Sequence, residues 1–403
     1  MPDAHRLKRL PIPAIVRRTA AAAALLLPLA GCTDYYPNST LTPHSEFGRA
    51  IDHLWRIELN LGTVVFIVVE ALLLYTLIRF RERPGQPSPE PVHGNTTLEI
   101  LWTGIPIIVL FFIAVPTIRT IFETQRKAPA NALEVDVYGH QWWWEFQYPQ
   151  YHVTTANELY LPLGRPVNFV LRSKDVLHSF WIPELGGKRD LITNHTNYLW
   201  FTPDSGMAPN AWNGECAEYC GTSHGVMHFR VFTVAPSDFE QWAAHQAHPS
   251  HPDSTTALAT DTGGYRFPAA KLPEYVIPAT PAPANLSFAS GVAGDAARGR
   301  KLYSSSACIG CHMVRGNPMS VGIIGPDLTH IASRYTIGAG RYPNDTTHLR
   351  LWIKNARLMK PGVIMPTLGA NQVDPITHSR VPAAAGLTDQ QIADIVAYLQ
   401  QLR

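Results

Sequence analysis

The chain has 403 residues, room for two or three domains. Hydrophobic residues make up 46% and charged residues only 16%, an apolar balance that points to membrane segments rather than a wholly soluble chain. Lys and Arg (33) nearly cancel Asp and Glu (31), so nothing in the charge suggests a nucleic-acid partner.

At the N-terminus, Arg6, Lys8, Arg9, Arg17 and Arg18 precede the apolar run AAAALLLPLAGC. A basic start, a short apolar core and small residues at its end predict a signal peptide over residues 1–31, too short to span a bilayer. LAGC resembles a bacterial lipobox, which implies that Cys32 opens the mature chain carrying a membrane lipid. An ordinary signal peptide beside an incidental cysteine is the alternative. Two apolar segments follow, at about 57–80 and about 98–122, each long enough to cross a hydrocarbon core of about 30 Å as a helix. Together they predict a transmembrane hairpin within 50–125. Arg79, Arg81 and Arg83 lie between the spans and Arg119, Arg126 and Lys127 near the far end, so the positive-inside signal is weak. The export signal decides instead, placing both ends of the hairpin outside. Glu70 falls mid-span, where an ionisable group is a functional candidate, although contact with a partner subunit is the preferred reading.

From Leu133 the period changes to two. LEVDV alternates, VNFVLRS puts Val167, Phe169 and Leu171 on one face, and HFRVFTV closes the region. Alternating strands broken by LPLGRP and TPDSG turns predict an antiparallel β-sandwich or barrel over 131–236. SDFEQWAAHQAH then starts on a good N-cap and reads as one short helix. Residues from about 249 to 287 are rich in Pro, Ala, Ser and Thr, so 237–288 is expected to be a short helix and a flexible linker. A tether of about 40–50 residues has a root-mean-square span of roughly 35–45 Å and holds its cargo at roughly millimolar effective concentration. His245, His248 and His251 are expected to be a solvated patch rather than a metal site.

The final domain, 289–403, opens with GDAARGRKLYSSSACIGCH, a helix leading into a cysteine motif. It closes with LTDQQIADIVAYLQQL, where Thr388 and Gln391 match a capping box and Ile392, Ile395, Val396 and Leu399 form the apolar stripe. CIGCH is the attachment pattern for one covalently bound haem: the thiols of Cys308 and Cys311 add to its vinyl groups and His312 reaches the iron. A soft sixth ligand is expected from a distant loop. Met365 in MKPGVIMPTL is the choice and Met359 the runner-up, while Met313 and Met319 lie too close to the attachment turn.

The stretch CAEYCGTSHGVM, 216–227, gathers two thiols, an imidazole and a thioether. Zinc would use the thiols and histidine, but the CxxxC spacing suits bridging two ions, and a thioether selects soft copper. A Cys216–Cys220 disulfide would leave His224 and Met227 unexplained. The stretch resembles the binuclear CuA loop of cytochrome c oxidase subunit II. GHQWWWEFQY at 139–148, HSFWIPELGGKRD at 178–190 and the hairpin extend the resemblance over nearly the whole mature chain, and CIGCH makes it similar to members with a fused cytochrome c.

That resemblance implies a two-helix transmembrane hairpin, an all-β cupredoxin-like Greek-key sandwich or barrel, and a small all-α class I cytochrome c domain. It implies two copper ions bridged by Cys216 and Cys220 and capped by His178 and His224. Met227 and the backbone carbonyl of Glu218 would be weak ligands, and the Glu218 side chain would face a magnesium shared with subunit I. Trp142 would be the residue through which electrons come in, Glu99 would lie at the mouth of a proton channel, and GPDL at 325–328 would pack on His312. Trp143 stands where the family usually has tyrosine and reads as a packing residue, while Asp190 is divided between a docking carboxylate and a surface charge. The implied partners are oxidase subunit I and other subunits, an electron donor such as a cytochrome c or bc complex, and membrane lipid. The implied location is the bacterial inner membrane, multi-pass, with both cofactor domains on the periplasmic side. Electrons would pass from haem to CuA and on to haem in subunit I, where oxygen is reduced to water with proton translocation. A quinol oxidase subunit lacking the copper ligands, or a membrane-anchored shuttle or copper-binding module without an oxidase, are the rivals.

Overall fold

The computed structural model describes residues 37–87, 90–91, 93–250 and 264–403; the signal segment, Cys32 and His251 lie outside them. Helices α1 (Glu46–Arg79) and α2 (Thr96–Thr124) pack as a hairpin. Ser45 and Asn95 cap them, their side chains accepting from the Gly48 and Leu98 amides. Both are long and apolar enough to cross a membrane, and their apolar side chains are exposed. Helix α1 starts well before the expected apolar run because its first turns rest on the β-domain. Phe47 is buried against Gly187, and Glu46 accepts from the Thr202 amide (2.9 Å) and hydroxyl (2.8 Å). Arg49 pairs with Asp204 at 2.7 Å, and the Ser45 hydroxyl donates to the Leu185 carbonyl. The anchor and the β-domain are thereby joined through side chains as well as through the chain.

Ten strands follow: β1 (Leu133–His140), β2 (Trp143–Tyr148), β3 (Val153–Ala156), β4 (Glu158–Pro162), β5 (Val167–Ser173), β6 (His178–Trp181), β7 (Arg189–Leu191), β8 (Asn197–Phe201), β9 (Asn210–Cys216) and β10 (His228–Val234). They form two five-stranded sheets, ordered β3-β2-β1-β5-β8 and β4-β10-β9-β6-β7. Leu133, Val135 and Val137 point inward and alternate with more exposed residues, as the period of two requires. Val167, Phe169 and Leu171 share the buried face as expected. The sandwich is not wholly antiparallel. The β1/β5 and β4/β10 pairs run parallel, because the connections between these strands cross to the other sheet before returning. Trp144, Phe146, Phe180 and Phe229 fill the space between the sheets.

Helix α3 (Pro236–Ala247) begins one residue before the expected cap. Pro236 occupies its first turn, where a missing N–H and a fixed φ cost nothing, so Ser237 caps nothing. Its Trp242 stacks on Tyr160 with ring centroids 4.5 Å apart.

The described part of the linker corrects the expectation of a flexible tether. Phe267 and Val276 are fully buried, and Phe267 packs on Phe232. The Tyr335 hydroxyl donates to the Phe267 carbonyl, and Arg230 Nε donates to the Val276 carbonyl. Proline-rich composition leaves this segment to turns and irregular chain, with one short 3-10 turn at Ala269–Lys271, but single large apolar side chains among the prolines still bury themselves. His245, expected in a solvated patch, lies on α3 with its ring centroid 5.0 Å from that of His330, while His248 is exposed and its carbonyl lies 2.9 Å from His330 Nε2.

The C-terminal domain comprises α4 (Ala296–Ser305), the single turn α5 (Cys308–Cys311), α6 (Thr346–Met359) and α7 (Asp389–Leu399), with a minimal hairpin of β11 (Thr336–Ile337) and β12 (Tyr342–Pro343). Helix α7 carries the capping box and buries Ile392, Ile395, Val396 and Leu399, as read from the sequence. Gly299 lets α4 cross α7 closely, since a Cβ there would stand 1.9 Å from the Asp394 carbonyl oxygen.

This domain is docked on the β-domain rather than hung from it. The buried Glu158 carboxylate accepts from the Tyr335 (2.6 Å) and Thr336 (3.0 Å) amides, Arg230 Nη2 donates to the Gly340 carbonyl (2.9 Å), and Arg315 Nη1 donates to the Ala247 carbonyl (2.8 Å). Burial pushes the Glu158 carboxyl up to about 7 from an ordinary 4.5, against the pull of those amides and of Arg334 and Arg266. A raised folded value means that Glu158 contributes stability fully below about pH 4.5 and loses it as pH rises through about 7. Glu158→Gln removes this titration, so in thermal melts of detergent-solubilised protein the wild type should lose ground to the variant across that window. Phe267→Ala should cost about 3–5 kcal/mol, and limited proteolysis should then cut within 264–287 faster than in the wild type.

Candidate metal centre

Strand pairing builds the centre. β6 pairs antiparallel with β9, Phe180 opposite Cys216, which sets the start of β6 beside the end of β9. His178 Nδ1 lies 3.9 Å from Cys216 Sγ. The loop from β9 to β10 then folds back so that Cys216 Sγ is 3.7 Å from Cys220 Sγ, and Cys220 Sγ is 3.7 Å from His224 Nδ1 and 3.8 Å from Met227 Sδ. The Glu218 carbonyl lies 3.2 Å from Cys216 Sγ. All six groups expected from the sequence thus converge. His178, Cys216, Cys220 and Met227 are buried, and neither thiol is in a disulfide.

The electrostatics suit a soft cation. Cys216 is held well below the usual thiol range, first by the hydrogen bond from the Cys220 thiol and then by His178 and nearby backbone groups, while the same bond and burial push Cys220 up. Without metal the pair keeps one shared proton; two thiolates require a cation between them. His178 Nε2 sits 2.7 Å from Asp175 Oδ1, which turns Nδ1 toward the sulfurs. Burial raises the Asp175 carboxyl, but His178 and the Gln141 and Val176 amides outweigh it and hold it below its usual range. Nothing in the sequence singles out Asp175, because a carboxylate three residues before a histidine in a turn carries no distinctive signal.

Trp142 lies beside this cluster and is only 8% exposed. Its indole N–H donates to the Cys220 carbonyl at 2.9 Å, and Gln141 Nε2 donates to the same oxygen at 2.9 Å. Two glycines flank the ring. A Cβ at Gly221 (φ +107°) would stand 3.1 Å from it, and one at Gly362 (φ +83°), in the C-terminal domain, 2.6 Å. Both positive φ values favour glycine, and the approach at Gly362 leaves no room for a Cβ. Trp143 instead stacks on His140 with centroids 4.1 Å apart, matching its reading as a packing residue, and Trp144 is fully buried in the core.

Lys360, two residues before Gly362, carries no pattern in the sequence that marks it. Lys360 is 1% exposed, and its Nζ donates to the carbonyls of Trp142 (2.7 Å), Val226 (2.9 Å) and Gly338 (3.0 Å). Burial and the nearby Arg341 push its ammonium down to about 7, with Cys220 opposing.

In the C-terminal domain, Cys308 and Cys311 stand one turn apart with free thiols. His312 Nδ1 lies 2.8 Å from the Pro326 carbonyl, which leaves Nε2 for an iron, and a Cβ at Gly325 would meet the ring at 2.5 Å. The GPDL loop therefore packs on His312 as expected. Met365 lies half-buried in the loop after α6, against the domain core. Met359 is a core residue at the end of α6, 1% exposed.

Three family models match in chain order: the cytochrome c oxidase subunit II transmembrane domain at residues 43–120, its periplasmic domain at 152–234, and cytochrome c at 296–403. Cytochrome c oxidase subunit 2 of Alkalihalophilus pseudofirmus is 31% identical over 386 residues, covering 94% of this chain and 95% of that protein. The chain belongs to the cytochrome c oxidase subunit II family. The subunit 2 of Bacillus subtilis is 30% identical, over 84% of this chain and 88% of its own. The crystal structure of the periplasmic domain of subunit II of cytochrome oxidase of Bradyrhizobium japonicum is 24% identical, covering 30% of this chain and 96% of that one, with a TM-score of 0.28. Subunit II membership carries copper and haem as the cofactors of these domains, other oxidase subunits as partners, and a membrane anchor.

The remaining candidates lie apart from the cluster. Glu99 is in the first turn of α2, its carboxylate accepting from the Asn95 amide at 3.3 Å. Glu70 is exposed midway along α1, and Asp190 is exposed on β7. The Glu218 side chain is exposed beside Tyr219, itself 74% exposed. Asp175→Asn should weaken copper binding about 10–100-fold, measured by competition with a chelator.

Proposed function

We propose that this chain is the electron-receiving subunit of a haem–copper cytochrome c oxidase, working from the periplasmic face of a bacterial inner membrane that its two helices cross. Cys216 and Cys220 would bridge two copper ions, His178 and His224 would each cap one, and Met227 and the Glu218 carbonyl would be weak ligands. Cys308 and Cys311 would hold one haem covalently between His312 and Met365. When bound, these groups supply one-electron carriers whose relay to subunit I feeds reduction of oxygen to water with proton translocation.

The protein's own contribution is rigidity and dryness. The ligands come from a strand end and a short loop fastened through the Cys220 carbonyl, so the site needs little rearrangement when its charge changes. Trp142 would carry electrons between the domains, since it bonds to Cys220 on one side and meets the haem domain on the other. The exposed Glu218 carboxylate suits a magnesium shared with subunit I, and Glu99 would border a proton channel there. The donor would be a cytochrome c or a bc complex meeting the haem domain, and Cys32 would add a lipid anchor. The division into an anchor (50–125), a copper domain (131–236), a joining segment (237–288) and a haem domain (289–403) follows the three family matches in order.

One observation carries the reading: two imidazoles, a thioether and a backbone carbonyl converge on two free thiols, a predominantly soft donor set of the kind that suits copper. Metal analysis of the assembled complex should give two coppers per chain beyond the copper of the oxygen-reducing subunit, and electron paramagnetic resonance a mixed-valence signal that Cys220→Ser abolishes along with turnover. One zinc per chain, or a Cys216–Cys220 disulfide in a fully active preparation, would overturn it.

A further inference from the structure

We propose that Lys360 is the positioning residue that seats the haem domain on Trp142, so that transfer between the two domains depends on its side chain. The inference rests on the functional reading above and adds to it a residue on the haem side of the junction.

The geometry is specific to a pin. Lys360 Nζ has three N–H donors and meets three carbonyls: Trp142 and Val226 of the copper domain and Gly338 of its own. Trp142 and Val226 flank the centre, one bonded to Cys220 and the other next to Met227 in the chain. A single buried side chain therefore ties the conducting tryptophan, the ligand loop and the haem domain together. Its neighbours extend the contact: the Ser223 hydroxyl donates to the Pro361 carbonyl at 2.6 Å, and Gly362 lies against the Trp142 ring. Lys360 is also anchored from behind, its amide donating to the Ala356 carbonyl at 2.8 Å at the end of α6. Hydrogen bonds from a charged donor in a dry interface are stronger than neutral ones, and electron transfer through a contact of this kind is sensitive to small gaps. The transfer moves one electron between the two domains and no atom, so nothing but position is asked of Lys360.

Other contacts join the two domains as well, among them the His228 amide donating to the Ala339 carbonyl at 3.1 Å. Glu158 with Tyr335 and Thr336, and Arg230 with Gly340, join the domains without Lys360. Removing the pin should therefore loosen the 360–362 loop while the domain stays attached.

The test uses the assembled oxidase with Lys360→Met, which keeps the length and loses the donors. Hydroxyl-radical labelling of Trp142, read by mass spectrometry, should rise at least about threefold. Flash-initiated transfer from haem to copper should slow at least about tenfold, with the optical and paramagnetic signatures of both centres unchanged. With reduced soluble cytochrome c as the probe, kcat should fall and KM hold. Either labelling or an internal transfer rate within twofold of wild type overturns the proposal. If the variant does not assemble, amine acylation of wild-type oxidase decides: Lys360 should react at least about tenfold more slowly than in the denatured chain, and equal reactivity overturns the proposal. Absence of copper or haem from the wild type would sink the functional reading, while Trp142 labelling would still judge the pin.

Discussion

Antiparallel pairing of β6 with β9 is the constraint on which the centre depends. It holds His178 against Cys216 although 38 residues separate them. The loop from Cys216 to Met227 could by itself bring two sulfurs, an imidazole and a thioether near one another, but a second histidine has to come from elsewhere in the sandwich. Strand pairing supplies it without any flexible segment, and Asp175 then chooses which ring nitrogen faces the sulfurs. The cluster is consequently held by backbone hydrogen bonds of the sheet rather than by metal alone. A site of that kind can keep its shape through a change of charge.

The second organising feature is the junction around Trp142. One indole ring is bonded to the Cys220 carbonyl and flanked by glycines from two domains. The approach at Gly362 leaves no room for a Cβ, and both glycines take positive φ values that other residues adopt at a cost. Charged groups hold the domains together around this apolar contact. Glu158, Arg230 and Lys360 are all buried, and each bonds to backbone groups across the junction. Buried charges satisfied by backbone groups of fixed direction make the interface specific, because sliding it would strand them.

The membrane anchor obeys the same logic. Helix α1 does not end at the edge of its apolar run but continues to Glu46, whose carboxylate caps the Thr202 backbone. The indole of Trp200 donates to the Arg126 carbonyl beyond the end of α2. The β-domain therefore has a defined stance on its hairpin, which a subunit delivering electrons to a fixed partner requires.

Chemistry written in short spacings was legible from residues alone. CIGCH and CAEYCGTSHGVM bring their donor groups together because the thiols and the next imidazole lie within a few residues of each other, and backbone geometry at that range leaves little choice. The hairpin, the alternating strands and the capping box of α7 were legible for the same reason, since their periods are local. Composition misled at 264–287, where prolines suggested a free tether and Phe267 and Val276 proved buried. Only the tertiary structure could decide what long-range packing decides: that Asp175 orients His178, that Gly362 rests on Trp142, and that Lys360 reaches a carbonyl 218 residues away. An isolated aspartate, glycine or lysine has no pattern of its own; its role comes from what the folded chain brings against it.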